Sequence, residues 1–329
     1  MYADRDHDGY DIVLPAALAE PHWAAWAMRW SSGFLFAPLA ADVAASLDLP
    51  LVTRGSVGRR RHAVSVDAAV GITTGISTSD RSRTARTLAD PGSTLADLAH
   101  PGHLVPVVAS TAGVIENPTR VEAAVDLCRL AGLPPVALCG RLLRGDGDLV
   151  RRPYVADLGG RHEPPIVDVA EIVTHRLFVG DGVRSRVTRG RATPRHALRG
   201  ALEVVGFIDE VTGAEHIVLR GPGASERPLV SVHVECALGD IFGSDSCPCG
   251  NALAEATARI EADGGLLVYL RRPHGRQTAI PAVHTWTQAD DGALAAVLRS
   301  FDATAIRLLD GPANLERLRL AGIAAVSVT

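Results

Sequence analysis

The sequence contains no lysine, and all 33 of its basic side chains are arginine. Schiff-base catalysis and a Walker-type phosphate lysine are therefore excluded. The formal net charge is −4, which provides no basic field, so we expect neither nucleic acid nor a membrane surface as a partner. No apolar run approaches the roughly 18 residues that a membrane-spanning helix requires.

Cysteine is also scarce, with five residues, of which Cys236, Cys247 and Cys249 lie close together. Residues 1–10 are charged and do not form a secretory signal, so we expect a cytoplasmic protein. In such a protein a cysteine cluster favours a metal site over a disulfide framework. Cys128 and Cys139 lie on apolar segments, and we expect both in the core.

The chain of 329 residues is long enough for two domains, and its apolar content of 47% suits an α/β protein. In the first half, short apolar strands alternate with amphipathic helices, and the second half begins with β-rich segments. Periodicity is lost between Leu177 and Pro194, where we predict a linker. The predicted domains are residues 1–178 and 186–329.

The segment from His233 to Gly250 reads H-V-E-C-A-L-G-D-I-F-G-S-D-S-C-P-C-G. Cys247-Pro-Cys249 places two sulfurs on one tight turn, and Cys236 follows a predicted strand. Three thiolates bind zinc tightly and leave one tetrahedral position open. A catalytic site with water at that position and a structural site closed by a fourth ligand, such as histidine, both fit the spacing.

This segment resembles the zinc signature of GTP cyclohydrolase II, the enzyme that opens the guanine ring of GTP. The similarity runs from about Arg186 to Val328. It implies that Cys236, Cys247 and Cys249 are zinc ligands and that His233 and Glu235 contact the nucleotide.

The loop that holds guanine and phosphates in this family is altered here, from Arg272 to Thr278. Arg276 remains in it as a candidate substrate-binding residue. The acid and the arginine of a second family motif fall on Thr287 and Ala289. These departures predict impaired turnover of GTP.

Residues Tyr2 to Arg176 resemble 3,4-dihydroxy-2-butanone 4-phosphate synthase, which acts on ribulose 5-phosphate with magnesium. Three blocks carry the resemblance: Val64 to Arg81, Pro101 to Pro106 and Glu122 to Pro135. The order of the two halves matches the fused bifunctional enzymes of riboflavin biosynthesis. Both families form homodimers, so the resemblance implies a homodimer that binds a phosphorylated small molecule.

The synthase resemblance also implies site residues. In the N-terminal loop they are Arg5 for substrate binding and Asp6 and Asp8 for catalysis and magnesium binding. The family normally has a helix and a strand before this loop, so we expect either a start upstream of Met1 or an absent first strand. A solvated loop is the alternative interpretation of this polar cluster.

Further along the chain, His103 is a candidate catalytic residue, and Thr73 and Thr74 are candidates for phosphate binding. The alternatives are that the threonines cap a turn and that His103 bonds a backbone carbonyl. The metal-binding histidine of the family falls on Arg120 and a glutamate on Arg141. A permanent cation is a poor replacement for a metal ligand, so we expect weakened magnesium binding.

Three hypotheses follow for function. The site substitutions favour a zinc-binding homologue in which one or both family activities are impaired. The overall relatedness favours a working bifunctional riboflavin enzyme. The third is a repurposed zinc-dependent hydrolase or lyase of specialised metabolism that acts on another phosphorylated or heterocyclic substrate.

Overall fold

The computed structural model describes residues 9–52, 61–150, 165–179, 186–193, 202–223, 225–244, 247–271, 286–309 and 311–328. The chain divides into two compact units, residues 1–173 and 174–329, each with its own sheet. The α/β class predicted from the sequence is confirmed. Within the described ranges, no helix is long and apolar enough to cross a membrane.

The first unit is built on a mixed sheet. Its strands are β1 (Asp11–Pro15), β2 (Leu35–Leu39), β3 (Arg61–His62), β4 (Val66–Ala68), β5 (Leu98–Val108) and β6 (Ala137–Arg141). The order is β1-β6-β2-β5-β3, with β4 also paired to β5. Strands β2 and β5 are parallel, and the other pairings are antiparallel. The helices are α1 (Pro21–Trp30), α2 (Ala41–Ser46), α3 (Thr78–Ala89) and α4 (Arg120–Leu130), and α5 (Val169–Phe178) includes the unit boundary.

Alternation along β2 shows that both faces of this sheet are covered. Leu35 and Leu39 belong to a core cluster that contains residues of α1 and α3. Phe36 points to the other face, where it packs with Val121 and Val125 of α4. Because successive side chains of a strand point to opposite faces, helices on both sides produce a three-layer arrangement.

Helix α4 also buries the two isolated cysteines. Cys128 on α4 and Cys139 on β6 are each 1% exposed and share one apolar cluster. Burial raises the pKa of the Cys128 thiol to about 11. The prediction that these two cysteines belong to the core is confirmed.

The second unit has a sheet of seven strands in the described part of the chain. They are β7 (Val187–Thr193), β8 (Glu203–Asp209), β9 (Glu215–Arg220), β10 (Leu229–Val234), β11 (Leu266–Leu270), β12 (Ala305–Leu309) and β13 (Ala324–Val328), in the order β13-β12-β10-β11-β9-β8-β7. The first four in that order are parallel, and β11 then pairs antiparallel with β9. The helices are α6 (Cys249–Asp263), α7 (Gln288–Ser300) and α8 (Leu315–Leu320). Ile260 of α6 packs on Leu229 and Leu267 of the sheet.

The predicted linker between Leu177 and Pro194 is wrong in one respect, because it contains β7. This strand pairs antiparallel with β8 and lies at the end of the strand order. Thr188, Arg189 and Gly190 are exposed, as expected for an edge strand. Its sequence therefore lacks the apolar alternation by which half-buried strands are recognised.

Candidate functional site

Three sulfur atoms meet at the end of β10. The Sγ atoms of Cys236, Cys247 and Cys249 all lie within 4.8 Å of one another. Cys236 Sγ is 3.6 Å from Cys247 Sγ, too far for a disulfide bond of roughly 2.05 Å. Two thiolates on one tetrahedral zinc ion are roughly 3.8 Å apart, given Zn–S bonds of about 2.3 Å. The donor set and its spacing therefore fit zinc.

A turn of π-helix, Ala237–Ile241, holds this cluster together. The backbone N–H of Gly239 donates to Cys236 Sγ at 3.3 Å. A Cβ atom at Gly239 would lie 2.8 Å from both Cys247 Sγ and Cys249 Cβ, so only glycine lets this backbone approach the sulfurs so closely. Cys249 is the first residue of α6, and the cluster thus joins the end of a strand to the start of a helix.

The pKa values of two of the thiols are shifted in opposite directions. The backbone N–H of Cys249 holds the pKa of Cys247 below its ordinary value. Burial, together with the neighbouring Cys247 and Cys236, raises the pKa of Cys249 to about 12. A thiol whose pKa is raised in this way keeps its proton near neutral pH until a cation stabilises the thiolate.

Asp240 connects this cluster to two aromatic side chains. Its Oδ1 lies 2.9 Å from Nε2 of His233. Its Oδ2 accepts the Cys236 N–H at 2.8 Å and the Tyr269 hydroxyl at 2.7 Å. The rings of His233 and Tyr269 stack, with centroids 5.4 Å apart. Burial and the Asp240 carboxylate raise the pKa of Tyr269, so the phenol stays protonated and donates to Asp240.

Glu235 is fixed by Arg271, which directly follows β11. Arg271 Nε donates to Glu235 at 3.2 Å, and Arg271 also pairs with Glu215 at 3.5 Å. The backbone N–H of Arg271 donates to Nδ1 of buried His216 at 3.2 Å. His233 and Glu235, the two predicted nucleotide contacts, are therefore both held by polar partners at one end of the sheet.

Behind His216 lies a buried ion pair. Arg186 Nη2 donates to Asp209 at 2.8 Å, and both side chains are at least 97% buried. Burial alone would raise the pKa of Asp209, but His216 and the Arg186 guanidinium hold it well below its ordinary value. His216 Nε2 is 3.7 Å from Asp209, longer than a hydrogen bond, so Arg186 makes the stronger contact.

In the first unit, His103 forms a dyad with Asp67. His103 Nδ1 is 2.7 Å from Asp67 Oδ2, and the His103 N–H donates to Asp67 Oδ1 at 3.1 Å. The His103 side chain is 41% exposed and that of Asp67 only 9%. A carboxylate that orients a solvent-accessible imidazole is an arrangement for proton transfer. The alternative in which His103 bonds a backbone carbonyl is not what the structure shows.

The turn that carries Thr73 and Thr74 covers this dyad. Gly75 has φ +78°, and a Cβ there would overlap both Asp67 and His103. Thr73 donates through its hydroxyl at 2.8 Å to Asp80 in the first turn of α3. Although burial opposes ionisation, hydrogen bonds from Thr73, Ser77 and Gly75 keep the pKa of Asp80 below its ordinary value. These contacts favour a capping role for Thr73, and phosphate binding by Thr73 and Thr74 stays a prediction.

Arg120 and Arg141 converge on one carboxylate. Arg120 Nε lies 3.3 Å from Asp11 Oδ2, and Arg141 Nε bonds Asp11 Oδ1. Both carboxylate oxygens therefore face guanidinium groups. Two fixed cations around one carboxylate do not fit a magnesium ion, which needs several oxygen ligands. The described residues around Asp11 therefore do not fit the magnesium site that the synthase resemblance implies.

Four predicted site residues, Arg5, Asp6, Asp8 and Arg276, lie outside the described residues. Several important side chains were missed: Asp11, Asp67, Asp240, Tyr269 and Arg271. Asp240 belongs to the segment from His233 to Gly250 and Asp67 to the block from Val64 to Arg81, so both lie within motifs that the sequence analysis identified. Nothing local to the sequence indicates Asp11.

Family comparisons agree with this organisation. Residues 2–175 match the family model of 3,4-dihydroxy-2-butanone 4-phosphate synthase. Residues 189–293 match that of GTP cyclohydrolase II. The first match covers more than half of the chain.

Curated relatives align with most of the chain. The chain is 38% identical over 279 residues to the riboflavin biosynthesis protein RibBA of Salinispora arenicola, covering 83% of this chain and 65% of that protein. It is 34% identical over 297 residues to a probable bifunctional riboflavin biosynthesis protein of Oryza sativa subsp. japonica, covering 88% of this chain and 53% of that one. The chain thus spans about half to two thirds of the length of these relatives.

A solved structure shows the fold. RibBX, a two-domain 3,4-dihydroxy-2-butanone 4-phosphate synthase from A. baumannii, matches with a TM-score of 0.74 at 23% identity, covering 99% of this chain and 94% of that one. At that identity the likeness concerns the fold alone. From the family matches and the relatives, we conclude that the chain belongs to the bifunctional riboflavin-biosynthesis family, in which a dihydroxybutanone phosphate synthase domain precedes a GTP cyclohydrolase II domain.

Proposed function

We propose that this chain is a zinc-dependent enzyme of riboflavin biosynthesis whose C-terminal domain, residues 186–329, opens GTP. The observation that carries the proposal is the cysteine cluster beside the His233–Asp240 pair. The sequence departures favoured an impaired homologue, but two family matches and the named bifunctional relatives support the working enzyme better.

The roles of the C-terminal residues follow from their contacts. Cys236, Cys247 and Cys249 would hold zinc, which supplies Lewis-acid activation when bound. Asp240 and Arg271 keep the side chains of His233 and Glu235 in fixed positions. Preorganised polar groups of this kind orient a bound nucleotide at little entropic cost. Arg276 is the proposed contact for its phosphates.

In the synthase-like domain, residues 1–178, the proposed acid/base group is His103, oriented by Asp67. Arg5, Asp6 and Asp8 remain proposed substrate and metal contacts. A second candidate function is a chain that retains only the cyclohydrolase half. The pairing of Arg120 and Arg141 with Asp11 favours it, because this pairing opposes magnesium binding.

The test separates the two halves. Zinc-loaded protein is incubated with GTP, and released formate and the absorbance of the diaminopyrimidine product are followed. We expect formate release that depends on zinc and is lost in Cys247→Ser but retained in Cys128→Ala. Absence of formate from fully zinc-loaded protein would reject the cyclohydrolase proposal and favour the impaired or repurposed alternatives. A parallel assay with ribulose 5-phosphate and magnesium decides between the bifunctional enzyme and the second candidate.

We also propose a cytoplasmic homodimer. All five cysteines are free, which suits a reducing compartment. Ile241 and Phe242, adjacent to the cysteine cluster, are 71% and 74% exposed, and neighbouring large apolar side chains of this kind favour association. Light scattering after size exclusion should give the mass of a dimer, and the mass of a monomer would reject the association.

A further inference from the structure

His216 is a buried histidine to which the proposed function assigns no role. It lies on β9, where it pairs with Phe207 of β8, and its side chain is only 4% exposed. The side chains of Glu235 and Arg271, by contrast, are 19% and 27% exposed. A nucleotide at this end of the sheet therefore reaches Glu235 and Arg271 but not His216, and any effect of His216 on the reaction is indirect.

One nitrogen of His216 holds the backbone at the point where the chain leaves β11. This strand ends at Leu270, whose carbonyl accepts the Glu235 N–H at 2.8 Å. The next backbone donor, the Arg271 N–H, reaches Nδ1 of His216 at 3.2 Å. A backbone N–H beyond the last paired residue of a strand needs another acceptor. Because a side chain supplies that acceptor, the position of Arg271 depends on the imidazole ring of His216.

The side chain of Arg271 carries this dependence to Glu235. Arg271 Nε donates to Glu235 Oε1 at 3.2 Å, and Arg271 Nη1 lies 3.5 Å from Glu215 Oε2. A guanidinium presents its donors in one rigid plane, so a shift of the Arg271 backbone also displaces the contact with Glu235. Since Glu235 is a proposed nucleotide contact, its orientation is linked to His216 through Arg271.

The other nitrogen of His216 faces a fixed carboxylate. An imidazole nitrogen that accepts an N–H carries no proton itself, so the proton of the neutral ring lies on Nε2. Nε2 is 3.7 Å from Asp209 Oδ2. The Asp209 carboxylate is in turn held by Arg186 Nη2 at 2.8 Å and by the Val211 N–H at 3.0 Å. A carboxylate on one side of an imidazole sets the tautomer and the orientation of the ring.

We propose that His216 is a positioning residue for nucleotide binding, an inference that rests on the cyclohydrolase activity proposed above. Its Nδ1 holds the backbone of Arg271, and Arg271 orients the carboxylate of Glu235. His216 takes no part in the chemical step, so its loss raises KM and leaves kcat nearly unchanged. The competing role is one in fold stability alone, exerted through Asp209.

Two amide variants separate these roles. The amide of asparagine overlaps the Nδ1 position of histidine, and that of glutamine overlaps the Nε2 position. His216→Asn therefore keeps an acceptor for the Arg271 N–H and loses the group that faces Asp209, whereas His216→Gln does the reverse. In zinc-loaded full-length chain, His216→Gln should raise the KM for GTP about fivefold, the usual effect of one lost hydrogen bond, with kcat within about twofold. His216→Asn should retain the wild-type KM.

The control for destabilisation is Leu318→Ala. Leu318 is 0% exposed and lies on α8, which packs on β13 and α7. This variant should lower the free energy of unfolding of the second unit but leave the KM for GTP unchanged. Equal KM values in the two amide variants, or a larger increase in His216→Asn than in His216→Gln, would overturn the positioning role.

A measurement without substrate separates this inference from the proposed function. Hydrogen exchange of the Arg271 N–H, resolved by fragmentation mass spectrometry, should be about fivefold faster in His216→Gln than in the wild type and in His216→Asn. Equal exchange rates in the two variants would overturn the inference even where GTP is opened. A wild-type protein that releases no formate would reject the proposed function alone, because the exchange rate still decides whether His216 holds Arg271.

Discussion

The Oδ1 atom of Asp240 lies 2.9 Å from Nε2 of His233, so the turn after Cys236 fixes a side chain of the strand before it. The other oxygen of the same carboxylate accepts the Cys236 N–H. The orientation of a proposed metal ligand and that of a proposed nucleotide contact therefore depend on one side chain.

Asp240→Asn should reduce zinc affinity by roughly 10–100-fold, the usual effect of losing a group that orients metal ligands. The neutral amide has one acceptor oxygen in place of two, and its hydrogen bonds to the Cys236 N–H and the Tyr269 hydroxyl lose the charge assistance of the carboxylate. Competition with a chromophoric chelator measures the affinity. Asp263→Asn, an exposed change on α6, is the control. Equal affinities in the two variants would show that Asp240 does not position the ligands.

Cys247→Ser should leave less than one zinc per chain and lower the midpoint of thermal unfolding, because three thiolates bind the ion cooperatively with folding. Elemental analysis of protein purified without chelators measures the metal. Cys128→Ala changes a cysteine in the other unit and should retain zinc. A wild-type protein without metal would reject the site.

Gly75→Ala should destabilise the first unit more than Gly132→Ala. Both glycines have positive φ, so each substitution costs about 1 kcal/mol of backbone strain. A Cβ at Gly132 meets open space, whereas one at Gly75 overlaps the His103–Asp67 dyad. We expect about 1–3 kcal/mol of additional loss in the free energy of unfolding, measured with urea. Equal losses in the free energy of unfolding would show that a Cβ at Gly75 does not disturb the His103–Asp67 dyad.

Asp209→Asn should lower the free energy of unfolding by about 3 kcal/mol at pH 7, because it leaves the Arg186 cation buried and unpaired. The pKa of Asp209 is lower in the folded protein than in the unfolded chain. Its contribution is therefore complete above about pH 4, the unfolded value, and is lost as the pH falls toward the folded value. Urea unfolding of both proteins from pH 7 to pH 3 measures the difference in their free energies of unfolding. This difference should be constant from pH 7 to about pH 4 and should decrease below about pH 4. A difference that stays constant down to pH 3 would contradict this linkage.

The sequence predicted some of this architecture because certain signals are local. Short apolar runs indicated most strands, and the close spacing of Cys247 and Cys249 indicated one tight turn. Their role as zinc ligands stays a prediction, although the structure places the sulfurs together. The edge strand β7 was missed because its exposed side chains lack alternation.

Other features depend on contacts between distant positions. Asp11 and Arg141 are 130 residues apart, and adjacent antiparallel strands place them opposite each other. No local pattern encodes such a pairing. The same holds for Tyr269 and Asp240, which are 29 residues apart and meet because β10 and β11 are neighbours.

In the second sheet, β11 pairs in opposite directions with its two neighbours. Its parallel pairing with β10 brings Glu235 and Arg271 to one edge, and its antiparallel pairing with β9 adds His216 to that same edge. Ligands of open α/β sheets bind outside the carboxyl ends of parallel strands. Substrate preference can therefore change through the loops at this end of the sheet without altering the order of the strands.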